Sequence, residues 1–267
     1  MSRIAQCLAQ LKAQNKKALV PYLVAGDPTV DVTVPMMHAL VAAGANIIEL
    51  GVPFSDPMAE GPTIQLAHER ALEHNVSLRD TLALVKEFRT NDADTPVVLM
   101  GYANPIEVMG YQTFAKAAAE AGVDGVLTVD MPPEEAVDFH AELKPHELDS
   151  IYLIAPTTAR ERIQRISELA SGYLYYVSLK GVTGAGNLDV ASVRDKVAEI
   201  KAITDLPLCV GFGIKDAESA QRITQFAEGA VVGSALVDRM STAQTVEQAI
   251  NNTQPFMQSL RDAIDAL

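Results

Sequence analysis

Short apolar runs recur along the chain at 18–24, 47–52, 96–100, 125–129, 151–154, 174–178, 208–211 and 230–233. They are rich in β-branched residues and do not alternate with polar ones, which is how strands buried on both faces of a parallel sheet read. Segments of helical periodicity separate them, at 34–43, 78–88, 114–121, 134–143, 160–169, 190–203 and 217–226. The repeated order of strand then helix predicts βα units along the whole chain. Two of the helix ends share a signature, Ala43-Gly44-Ala45-Asn46 and Ala121-Gly122-Val123-Asp124. Glycine there suits the left-handed position that closes a helix, and the Asn or Asp leads into the next strand.

Eight such units without a Pro/Gly/Ser-rich linker or a low-complexity tract predict one (β/α)8 TIM barrel over residues 1–267, preceded by an N-terminal helix. A doubly wound open sheet is the alternative arrangement of the same units. One spacing is irregular, because 49 residues separate the start of the second run from the start of the third. The extra chain predicts an extended loop, 53–62, and an additional helix, 63–73, after strand 2. Long loops at the C-terminal rim of barrel strands are where such folds place their chemistry.

Composition narrows the partners. Lys plus Arg is 21 against 34 for Asp plus Glu, a net charge of −13, which disfavours nucleic acid and anionic lipid. Cys7 and Cys209 lie far apart in no metal-ligand spacing, so neither a disulfide framework nor a zinc site is expected, and a reducing cytoplasm fits. No run of eighteen apolar residues occurs, and the amphipathic start of the chain lacks the apolar core of a signal peptide. Export and membrane insertion are therefore not expected.

Glu49 interrupts the apolar run Ile47-Ile48-Glu49-Leu50-Gly51-Val52. A carboxylate buried there costs several kcal/mol unless paired or neutralised, which makes it either a general acid or base or half of a structural ion pair. Asp56 and Glu60 follow on the long loop and could act opposite it, since two carboxyls in unlike environments can divide acid and base roles. Glycine-rich turns follow three late strands: Gly181-Val182-Thr183-Gly184-Ala185-Gly186, Gly211-Phe212-Gly213 and Gly233-Ser234. Converging backbone N–H groups at such turns bind phosphate, and acidic net charge does not oppose this. Lys180 beside the first turn could form a Schiff base or remain a solvated loop lysine. The five histidines form no metal-ligand pattern, and Tyr22, Phe54, Tyr102, Tyr173, Tyr175, Tyr176 and Phe212, at or near strand ends, are core by default but could line a flat apolar pocket.

Several motifs in order resemble one family, the α subunit of tryptophan synthase. They are 21–28 (Pro-Tyr-Leu-Val-Ala-Gly-Asp-Pro), 49–57 (Glu-Leu-Gly-Val-Pro-Phe-Ser-Asp-Pro), 61–65 (Gly-Pro-Thr-Ile-Gln), Asn104-Pro105-Ile106, 130–135 (Asp-Met-Pro-Pro-Glu-Glu) and Gly181-Val182-Thr183-Gly184. The resemblance implies a lyase that cleaves indole-3-glycerol phosphate to indole and glyceraldehyde 3-phosphate by a retro-aldol reaction, without a metal or cofactor in this subunit. It implies that Glu49 shuttles protons at the reacting carbons. It also implies that Glu60, standing where the family has an aspartate, meets the indole N–H.

Phosphate contacts carried over fall on Gly184, Gly213, Gly233 and Ser234, and a closing lid would bring Thr183 to Asp56. Around the lid the family's Ser-Arg-Ala-Gly is replaced by Ser178-Leu179-Lys180-Gly181. The implied partner is the pyridoxal-phosphate β subunit in an αββα complex, met by Pro57, Met58, Asn104, Pro105, Asp130 and Pro132. A docking partner that activates β with weak catalysis of its own, and a Schiff-base aldolase using Lys180, are the competing readings.

Overall fold

The computed structural model describes residues 1–178, 190–211 and 213–267. Eight parallel strands close into a barrel in chain order: β1 Ala18–Val24, β2 Ile48–Gly51, β3 Val97–Gly101, β4 Gly125–Thr128, β5 Asp149–Ile154, β6 Leu174–Val177, β7 Leu208–Gly211 and β8 Gly229–Val232. The ring is completed where β1 pairs β8 from Ala18 opposite Gly229 to Pro21 opposite Val232, which excludes the open doubly wound sheet. Pro21 is the last residue of that pairing, and Tyr22 is the first of the pairing with β2. The proline, which has no N–H to donate, thus falls where the ladder passes from one neighbour to the other.

Helices among the described residues are α1 Arg3–Ala13, α2 Val30–Ala42, α3 Pro62–Glu73, α4 Leu78–Phe88, α5 Ala103–Met109, α6 Tyr111–Ala121, α7 Val137–Leu143, α8 Arg160–Leu169, α9 Val190–Lys201, α10 Ala217–Thr224, α11 Ser234–Met240 and α12 Val246–Asp265. The extra helix after strand 2 is α3. Both glycine-closed helix ends are present, with Gly44 at φ +92° and Gly122 at φ +87°. The predicted helix over 134–143 is shorter, beginning at Val137, because a turn that follows Pro132 and runs over 133–135 occupies the start of that segment. Helices α5, α11 and α12 lie outside the periodic segments predicted above. In α12, Pro255 and the polar run around it mask a buried stripe of Ala249, Thr253, Met257, Leu260 and Ile264.

The apolar interior divides into two bodies. One lies between the strands and the surrounding helices, and the other fills the barrel. Helix α1 belongs to the second. Ser2 caps it, and Ile4, Leu8 and Leu11, spaced along one face, are buried with the inward residues Ala18, Val20, Val98, Leu127 and Ile151. Arg3 pairs with Asp124 at 2.8 Å, and the Ser2 hydroxyl donates to Asp149 Oδ2 at 2.5 Å, each at the start of a strand. The N-terminal end of the barrel is therefore plugged. A chamber inside the barrel is left to the opposite end, where the loops after the strands lie.

Candidate active site

Inward positions on alternate residues carry the polar groups of this chamber. Glu49 on β2 stands beside Tyr22 on β1, and Tyr175 on β6 and Tyr173, the residue before that strand, are buried in the same inner cluster as Tyr22. Glu49 is fully buried and accepts a hydrogen bond from the Tyr173 hydroxyl at 2.5 Å on Oε1. Its Oε2 is buried without a hydrogen-bond partner among the described residues. Burial pushes the carboxyl up to about 8, opposed by the Tyr173 bond and helped by the charge of Glu60. No lysine or arginine pairs with it among the described residues.

The long loop brings in Glu60 and leaves Asp56 outside. Glu60 is 6% exposed, and burial pushes it up to about 7. Its N–H donates to the Pro57 carbonyl at 3.0 Å, and its carbonyl accepts from the Gln65 side chain at 2.9 Å, which holds the turn from both sides. Asp56 is exposed and takes the Ser55 hydroxyl at 2.6 Å. Tyr102 braces this loop. Its ring stacks on Phe54 at 4.9 Å and its hydroxyl accepts the Ala59 N–H at 3.1 Å, so it contacts the loop that bears Glu60. Helix α3, which starts two residues after Glu60, is anchored by Arg70 donating to the buried Asp27 at 2.6 Å.

Tyr22 and Tyr175 are buried and feel the charge of both carboxyls. Their hydroxyls rest on strand-end glycines, Tyr22 over Gly51 and Tyr175 over Gly211, where a Cβ would overlap the phenol oxygen. The two glycines are therefore required for close approach. Gly51→Ala should push Tyr22 out of place and cost about 1–3 kcal/mol, the usual penalty of overpacking, read as a lower urea midpoint. An unchanged midpoint would show that the phenol shifts without resistance.

Of the phosphate candidates, Gly213 follows β7 with φ +82°, and Gly233 and Ser234 form the start of α11 directly after β8. Thr183, Gly184, Lys180 and Phe212 lie outside the described residues. The six docking candidates follow β2, β3 and β4: Pro57 and Met58 on the loop after β2, Asn104 and Pro105 in α5, and Asp130 and Pro132 on the loop after β4. Met58 is 77% exposed, whereas Pro57, Pro105 and Pro132 are half-buried rather than exposed. Asn104 is exposed, and Asp130 accepts the Ala103 N–H at 2.7 Å, tying the start of α5 to the loop after β4.

One site residue, His68, escapes sequence reasoning, and another, Tyr173, is legible only as a strand-end aromatic and not as the partner of Glu49. The shared side of Tyr173 and Tyr175 could have been found from their spacing of two, since alternate residues of an extended chain point the same way. His68, on α3, accepts the Phe54 N–H at 3.1 Å and lies 3.5 Å from the Tyr22 hydroxyl, contacts that no local pattern shows.

The family model described as tryptophan synthase alpha chain matches residues 8–265. This chain belongs to the tryptophan synthase alpha chain family. The tryptophan synthase alpha chain of Thioalkalivibrio sulfidiphilus is 59% identical over 266 residues, covering 99% of this chain and all of that protein. That of Marinobacter nauticus is 57% identical, covering 100% of this chain and 99% of its own. Among solved structures, the subunit from Legionella pneumophila superposes with a TM-score of 0.93 at 47% identity over the full length of both chains. A chain of Mycobacterium tuberculosis tryptophan synthase in an aminoacrylate-bound form gives 0.88 at 35%, covering 99% of this chain and all of that one.

Proposed function

We propose that Glu49 and Glu60 divide the proton work of the family's reaction, retro-aldol cleavage of indole-3-glycerol phosphate. The observation that carries this is a wholly buried Glu49 with one oxygen held by Tyr173 and the other without a partner among the described residues, together with a second buried carboxyl, Glu60, whose charge it feels. Protonation of a ring carbon needs an acid that keeps its proton near neutral pH, and Glu49 does. Its proton goes to indole C3. The bond from C3 to the glycerol carbon breaks, and the hydroxyl on that carbon becomes an aldehyde as its proton returns to Glu49. Atoms and charge then balance without a metal or organic cofactor in this subunit.

Glu60, ionised, accepts the indole N–H and offsets the positive charge that C3 protonation places on the ring. Gly213, Gly233 and Ser234 would hold the phosphate, with Thr183 and Gly184 contributing from beyond β6 and Asp56 receiving Thr183 on closure. Tyr175 and Phe212 would flank the indole. The loop after β2 with its exposed Met58, helix α5 and the loop after β4 would meet the β subunit, which supplies the pyridoxal phosphate and takes the indole in an αββα complex. The chain is read as one barrel domain acting in the cytoplasm; no described helix is long and apolar enough to cross a membrane.

The test is indole release from indole-3-glycerol phosphate by the purified chain, alone and with the β subunit. Turnover raised by β supports the reading. Absence of turnover in both, from folded protein, would leave only a docking role. A borohydride-trapped adduct on Lys180 would instead favour the Schiff-base aldolase.

A further inference from the structure

His68 is 2% exposed, and nothing in the reaction above uses it. Its Nδ1 faces a backbone N–H, that of Phe54, and must therefore be the bare nitrogen of a neutral ring, which places the proton on Nε2. That Nε2–H lies 3.5 Å from the Tyr22 oxygen, at the long end of hydrogen-bonding range. Burial lowers the imidazole to about 4, so the ring stays neutral through the working range. The Tyr22 oxygen is thus an acceptor toward His68. On another side it lies close over Gly51, and with His68 donating to its oxygen its own O–H is left to donate on the inner side of the barrel, where Tyr22 is buried. There Glu49 is the residue paired with Tyr22 across the β1–β2 ladder, and Glu60 is the carboxyl whose charge Tyr22 feels most strongly.

We propose that His68 is a positioning residue for the lyase reaction: by donating Nε2–H to Tyr22 it commits the tyrosine hydroxyl as a donor toward the two reacting carboxyls. The same ring holds Phe54, the start of the loop that ends in Glu60. One side chain on α3 therefore sets both the orientation of a donor in the chamber and the entry of the catalytic loop. This rests on the assignment of Glu49 and Glu60 above.

The test is a double-mutant cycle of kcat and KM for indole-3-glycerol phosphate cleavage in the complex with β, using wild type, His68→Phe, Tyr22→Phe and both together. Each single change should lower kcat about tenfold, the worth of one hydrogen bond to a charged group, with KM changed less than about twofold. In the Tyr22→Phe background, His68→Phe should cost less than about threefold, because its target hydroxyl is gone. His68→Gln, which offers both an acceptor and an N–H donor, should recover most of the lost kcat. Equal losses in both backgrounds, or no recovery by Gln, would overturn the proposal.

A second readout needs no turnover. Histidine-selective 15N spectra of the full-length wild-type chain at pH 7, assigned by the signal missing from His68→Gln, should show the Nε2–H neutral tautomer. An Nδ1–H tautomer or an imidazolium would overturn it. Wild type without turnover would sink the assignment of the two glutamates, while the tautomer would still decide what His68 donates.

Discussion

Glu49→Gln should slow indole release by about a thousandfold while leaving the chain folded and, at alkaline pH, more stable than wild type. The kinetic loss follows from the role: a positioned acid and base contributes about 10²–10⁴ to rate, and an amide of the same shape has no proton to give. The gain in stability follows from burial. The native carboxyl titrates at about 8, against 4.5 as its ordinary value, so between these pH values the unfolded chain has released a proton that the native chain retains. Stability therefore falls as pH rises through that window, and above about 8 the full cost of a charged, enclosed carboxylate is present. Glutamine never carries that cost, yet its amide oxygen still accepts the Tyr173 hydroxyl. The difference in unfolding free energy, variant minus wild type, should be small at pH 5 and widen by an amount on the order of a few kcal/mol at pH 8.5, read as a higher Tm of the variant there. Thermal scans at the two pH values, beside the indole assay, check both halves. A variant that loses activity because it is less stable at pH 8.5 would make Glu49 structural rather than catalytic.

Such a trade of stability for function is also why Glu49 was visible in the sequence. A charge inside an otherwise apolar run conflicts with its surroundings, and conflicts of this kind mark sites. The eight strands were visible for the opposite reason, since strands buried on both faces leave continuous apolar runs that helices do not imitate at that length. What could not be read depended on contacts between distant segments. Asp56 and Glu60 are alike on paper. Their different burial comes from a loop held by Tyr102, 43 residues beyond Ala59, and by a helix pinned through Arg70 to Asp27. His68 likewise gains its meaning only when α3 folds back over β1 and the loop. Helix α12 was hidden by its own proline, because the burial of its stripe against the rest of the fold outweighs a local helix breaker.

The two carboxyls also set a narrow pH range for the reaction. In the roles proposed above, Glu60 must be ionised to meet the indole N–H and Glu49 protonated to deliver its proton, and burial places these groups at about 7 and about 8. The profile of kcat/KM should be a bell, since it reports the free enzyme: it falls below about 7 as Glu60 takes up a proton and above about 8 as Glu49 loses one, roughly tenfold per pH unit far out on each side. The substrate's phosphate titrates at about 6 and contributes its own acidic inflection, but it does so equally in every variant. Glu60→Gln should therefore lose about a hundredfold in kcat/KM at pH 7.5, together with the inflection near 7, while the alkaline limb remains. Glu60→Asp should keep both limbs and stay within about tenfold of wild type, because it retains the charge and gives up one methylene of reach. A Glu60→Gln profile with the acidic limb intact would assign that limb elsewhere. A Glu60→Asp chain more than tenfold faster than wild type would show that the longer side chain here holds its charge away from the ring rather than on it.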